Sequence, residues 1–163
     1  MPVSADTLRL QLDYSAWASQ RVLDAVEKLT PEELTRDFKT ADKNALETLV
    51  HVFAADRIWL ARVQGVVRSF IDPQDRDLAV LKKEWPAVQQ GWKQQMAPLT
   101  DQDVLKVVSY KDTKGNSYQS PLWQIVLHLV NHGTHHRGQV SGFLRAMGYT
   151  PQALDLIAFY RQL

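Results

Sequence analysis

Apolar positions recur with helical spacing over most of this chain. Between Ala5 and Leu29, the residues Leu8, Leu12, Ala16, Leu23 and Val26 trace one buried helix face. Thr30-Pro31-Glu32-Glu33 then has the marks of a helix start: a capping Thr, Pro at the first position and Glu three residues past the cap. It is expected to open only a short turn before Asp37. Asn44-Ala-Leu-Glu47 repeats the capping logic and predicts a second long helix ending near Gln64-Gly65. A third helical stretch runs from Asp75 to Met96. Pro86 inside it removes one helical hydrogen bond and crowds the preceding turn, which predicts a kink or break. The period then changes. Val104 to Tyr110 is rich in β-formers, Lys114-Gly115-Asn116 has turn chemistry, and Ser117-Tyr-Gln119 follows, so a small hairpin or extended crossover is expected. Ser120-Pro121 is read as cap and first residue of the last long helix, which Met147-Gly148 ends before Pro151. Asp155 to Gln162 reads as a short terminal helix. The pattern predicts one all-α domain over residues 1–163, a four-helix bundle with its hairpin or crossover before the last long helix.

The last long helix carries a second pattern. Four of the chain's five histidines fall in His128-Leu-Val-Asn-His132-Gly-Thr-His135-His136, and His51 is the fifth. At about 100° per residue, Leu122, Ile125, Leu129, Val140, Phe143 and Met147 form one apolar stripe. His136 lies almost on its centre line and His132 about 45° from it, whereas His128 and His135 lie roughly 85° and 105° away. The His132/His136 pair, one turn apart, therefore faces inward, where both rings can reach one ion. Two buried imidazoles need partners for four nitrogens, which a metal or a polar core network would supply. A metal needs at least one more ligand. Spacing leaves His51 open, because Leu46, Leu49, Val50, Phe53 and Leu60 mark a face nearly opposite to it. The face that His51 shares with Ala54, Ala55 and Ile58 is also apolar and suits a helix buried on two sides in a dimerising bundle. Asp56 and Glu47 compete as carboxylate ligands.

Composition narrows the chemistry. Nineteen Lys and Arg against 18 Asp and Glu leave a net charge of +1, so neither nucleic acid nor an acidic membrane is suggested as a partner. No apolar run is long enough to span a bilayer, and the first residues lack a basic segment followed by an apolar stretch. A soluble cytoplasmic protein is the expectation. There is no cysteine, so any sulfur nucleophile must arrive on a small molecule.

Two stretches, Leu49-Val-His51-Val-Phe-Ala-Ala-Asp56-Arg-Ile-Trp59 and Val130-Asn-His132-Gly-Thr-His135-His136-Arg137-Gly-Gln139, resemble the DinB/YfiT-like superfamily. Leu12-Asp-Tyr14-Ser-Ala-Trp17-Ala and Asp155-Leu-Ile-Ala-Phe-Tyr-Arg161 fit the same pattern, so the resemblance covers nearly the whole chain. It implies a four-helix bundle, commonly dimeric, whose metal is held by one histidine of the second helix and a His-xxx-His pair of the last. Carried onto this chain, those residues are His51, His132 and His136. It also implies relatives that are thiol-dependent transferases or isomerases with a low-molecular-weight thiol as cosubstrate.

Three neutral imidazoles would leave a divalent ion, zinc or nickel by ligand preference, with an open position, as catalytic sites have. The leading expectation is a metal-dependent enzyme of S-transferase type, which activates a small-molecule thiol for attack on an electrophilic carbon. A metal-dependent hydrolase and a non-catalytic, stress-associated metal-binding dimer are the alternatives. No catalytic base is assigned, and Arg137 and Gln139 are candidates for orienting a ligand or bridging a dimer.

Overall fold

A computed structural model describes residues 3–163. Met1 and Pro2, the first two residues of the expected 1–163 domain, lie outside the described residues. The elements are α1 (Ala5–Val26), α2 (Pro31–Leu34), α3 (Ala45–Val63), α4 (Leu78–Met96), β1 (Val107–Lys111), β2 (Ser117–Pro121), α5 (Leu122–Ala146) and α6 (Leu156–Tyr160). The long helices α1 and α3 each pack against both α4 and α5. The chain is mostly helical but not all-α, because β1 and β2 pair antiparallel with Val107 opposite Pro121 and Lys111 opposite Ser117. Of the two forms expected for this segment, the hairpin is the one observed. Gly115 at φ +88° supplies the left-handed residue of its turn. No helix among the described residues is long and apolar enough to cross a membrane.

Several starts and stops follow from local chemistry. The Asn44 side chain accepts a hydrogen bond from the Glu47 amide at 2.9 Å, capping α3, and Thr30 with Glu33 forms the expected capping box. Two boundaries differ from expectation. Ser120 does not cap α5: it is paired with Val108 in the ladder, its hydroxyl lies 3.2 Å from that of Tyr110, and Pro121 stands at the cap position. The first helical amide, that of Leu122, donates instead to the Lys106 carbonyl at 3.0 Å. Asp75 does not open α4 either. It sits in a separate 3-10 turn, Pro73–Arg76, and α4 then runs unbroken through Pro86.

The apolar core is split along the helices. One cluster gathers Val22, Val26, Leu49, Phe53, Trp85 and Leu144, and a second gathers Leu8, Leu60, Trp92, Met96, Ile125 and Leu129. Between them in sequence on α1, α3 and α5 lie the buried polar residues Ser15, Ser19, Asp56 and Arg137. The Arg137 guanidinium donates to Ser15 and Ser19 hydroxyls at 3.1 and 3.2 Å, so it ties α5 to α1 within the chain. It is 1% exposed, which makes it an internal residue.

Candidate metal centre

His51 comes from the middle of α3, and His132 and His136 from successive turns of α5. The face of α3 that spacing left unassigned is covered inside this one chain: Ala54, Ala55 and Ile58 are all buried. His51 is therefore turned towards α5, and no second copy is required to explain its apolar neighbours. The structure brings His51, His132 and His136 together, with one ligand nitrogen of each lying within 4.8 Å of the others. Ring centroids are 4.9 Å apart for His51 and His132, 4.6 Å for His51 and His136, and 4.5 Å for His132 and His136.

Their polar contacts suit a cation. Nε2 of His51 and Nε2 of His132 approach to 3.0 Å. Two imidazole nitrogens bound tetrahedrally to one ion at about 2.05 Å would stand about 3.3 Å apart, so the pair is already near ligand spacing. Nδ1 of His136 lies 2.7 Å from Gln139 Oε1 and 3.3 Å from Asp42 Oδ2, which leaves its Nε2 without a protein partner. Fixing one ring nitrogen by an amide or carboxylate so that the other faces the metal is how ligating histidines are usually held. Nδ1 of His132 is buried without a hydrogen-bond partner. Burial is the main reason that His132 is held neutral, its pKa falling to about 3, with the neighbouring His136 and His51 adding to the effect. Burial, then proximity to His136, also lowers the pKa of His51, while Asp42 opposes the shift. Neutral imidazole is the form that binds metal, so the donor set fits a divalent ion.

The other sequence candidates fall elsewhere. His128, which its angular position leaves ambiguous, and His135 are both exposed. Glu47 pairs with Arg76 at 3.0 Å. Asp56 is buried, with Oδ2 accepting from the Trp85 indole at 2.7 Å, and it lines a separate cavity of about 340 Å³ together with Ser15, Pro86 and Trp92. Burial raises its pKa to about 6, against the opposing pull of the Trp85 hydrogen bond and the Arg137 charge. Neither carboxylate joins the histidines.

Sequence reasoning missed how the surroundings are built. Gln139, a candidate for orienting a ligand or bridging a dimer, holds instead the His136 ring three residues earlier on the same helix. Asp42 comes from the loop before α3, and Phe70, whose ring packs edge-on to His51 at 5.6 Å, from the connector after it. No periodicity reports on either. Arg57 holds that connector in place through two bonds to Asp75 at 2.9 and 2.5 Å and one to the Phe70 carbonyl at 3.3 Å. Phe70 also lines a groove of about 1070 Å³ between the connector and the hairpin.

A family model described as the DinB family matches residues 1–162. Protein DinB of Bacillus subtilis (strain 168) is 22% identical over 154 residues, covering 88% of this chain and 87% of the relative. A crystal structure of a DinB-like protein from Bacillus cereus ATCC 10987 superposes with a TM-score of 0.69 at 20% identity, covering 94% of this chain and 99% of that one.

Proposed function

The chain belongs to the DinB family, and from that premise we propose that it is a divalent-metal enzyme of four-helix-bundle type that activates a small-molecule thiol for transfer to an electrophilic carbon. The observation that carries this reading is the convergence of His51, His132 and His136 with one ligand nitrogen of each within 4.8 Å of the others. Three neutral nitrogen donors suit zinc or nickel and supply fewer ligands than a closed structural site requires. When bound, such an ion supplies the positive charge that makes a thiol presented to it ionise near neutral pH.

The chain's own residues do the rest. Gln139 and Asp42 hold the His136 ring through Nδ1, and burial keeps the His51 and His132 rings unprotonated. Phe70 covers one flank of His51, and the groove beside it admits the thiol and its acceptor. With no cysteine in the chain, the sulfur comes with the cosubstrate. Its proton passes to solvent, its lone pair forms the new carbon–sulfur bond, and the displaced electron pair leaves with the acceptor's leaving group. Homodimeric assembly is part of the same proposal and rests on family membership.

A panel of low-molecular-weight thiols incubated with monobromobimane tests the proposal. The rate above the protein-free reaction should disappear on chelation, return on adding zinc or nickel, and fail to return in His51→Ala. An enzyme-dependent rate unchanged by complete chelation would refute it.

A further inference from the structure

The groove lined by Phe70, whose ring packs on His51, has a charged wall that the thiol chemistry leaves unexplained. His51, Ile58 and Arg62 lie on one face of α3, since seven and eleven residues correspond to nearly whole numbers of turns. Along that face Arg62 is about 16 Å from His51. Aromatic contacts connect the two ends. His132 stands 5.9 Å from His128 between ring centroids, His128 is 5.5 Å from Trp59, and Trp59 is 4.8 Å from Tyr110. The Arg62 guanidinium lies over the Trp59 ring at 4.5 Å and 5.3 Å from the Tyr110 ring, in the wall of the groove.

Arg62 is half-buried yet makes no hydrogen bond or ion pair among the described residues. The nearby acid, Asp112, is committed to its own turn, accepting from the Lys114 and Asn116 amides at 2.8 and 2.9 Å and from the Asn116 side chain at 2.9 Å. Arg68, in the same wall, reaches Asp72 at 3.5 Å. Burial disfavours the charged form of Arg62, and Tyr110 and Asp112 only partly offset this. A guanidinium held against two aromatic rings, partly buried and with no ion-pair partner among the described residues, suits a carboxylate or phosphate.

We propose that Arg62 anchors an anionic group, phosphate or carboxylate, at the remote end of an elongated molecule whose other end reaches the histidine centre. The inference rests on reading that centre as a metal site for a small-molecule thiol. It adds that the ligand's charge lies two to three helical turns, on the order of 10–15 Å, from its reacting atom. Short anionic thiols cannot span that distance. Arg62 therefore selects for length and charge together.

Pantetheine and 4′-phosphopantetheine are a matched pair of long thiols that differ only in the terminal phosphate. Titrated into the cobalt(II)-loaded protein and followed by the thiolate-to-cobalt absorption band, the phosphorylated thiol should bind roughly tenfold tighter, as one charge-assisted contact implies. Arg62→Gln should erase the preference and leave pantetheine binding unchanged, Arg62→Lys should restore part of it, and added salt should weaken it. Equal affinity of both thiols for the native protein would overturn the anchor while leaving the metal–thiol reading intact. If neither thiol produced the band, the thiol reading would fall. Calorimetry of 4′-phosphopantetheine with metal-free protein would then decide the anchor alone, Arg62-dependent binding supporting it and no binding overturning it.

Discussion

His132 concentrates the tension in this molecule: its Nδ1 is buried without a partner, its Nε2 faces another imidazole nitrogen, and its ring is held unprotonated. A histidine whose pKa is lower in the folded chain than in the unfolded one makes stability depend on pH. Above about 6.5 neither state binds the proton and the residue has no pH effect. As pH falls towards 3, the unfolded chain takes up the proton first, so the metal-free fold loses stability. The loss should stay below about 1.4 kcal/mol per pH unit, the limit for one proton, and solvent at the partly open site reduces it further. Urea unfolding of metal-free protein at pH 7.5 and pH 5 should show that loss, and His132→Leu should reduce it, the remainder coming from His51 and His128, whose pKa values burial also lowers; an equally steep loss in the variant would count against the assignment. At this scale, inward placement of His132 and His136 could be read from angular position on α5. His51 could not, because both faces of α3 are apolar and both are covered. The family resemblance supplied it.

Connections between elements position the site as much as the helices do. The connector after α3 is anchored by Arg57 and Asp75, whose side chains are 8% and 1% exposed. Removing one partner of such a pair strands a buried charge, at a cost of about 3–5 kcal/mol. Arg57→Met should show a loss approaching that size in denaturant unfolding, Asp75→Asn a smaller one because Asp72 still faces Arg57 at 3.3 Å, and the double variant should lose much less than their sum. Additive losses would mean that the pair does not act as a unit. The helices themselves were legible because capping residues and apolar spacing coincide, as at Asn44 and Thr30. The start of α5 was misplaced by a pairing that local signals do not carry: the hairpin ladder takes Ser120 before it can cap. Asp75, read as the beginning of α4, answers to Arg57 eighteen residues earlier.

Over the whole molecule, the two larger apolar clusters flank a middle stretch in which polar side chains meet from different helices, beside a third, smaller cluster of Tyr14, Ala18, Val130 and Phe159. Asp56 and Arg137 serve the interior there, and the three histidines gather where α3 and α5 face one another, with Phe70 packed on His51 and lining the large groove. Helix periodicity foretold an apolar interior but not its division, since polar residues such as Ser15 and Asp56 gain their meaning only from partners on other helices. Metal content is the property on which the three-histidine centre depends most directly. Protein purified without an affinity tag, supplemented with zinc or nickel and dialysed, is measured by elemental mass spectrometry as native chain and as His51→Ala, His132→Ala, His136→Ala, His135→Ala and Asp56→Asn. The native protein should hold a single ion per chain, retained in His135→Ala and Asp56→Asn and lost in the other three. Absence of bound metal from the supplemented native protein, or equal loss in His135→Ala, would contradict the three-histidine assignment.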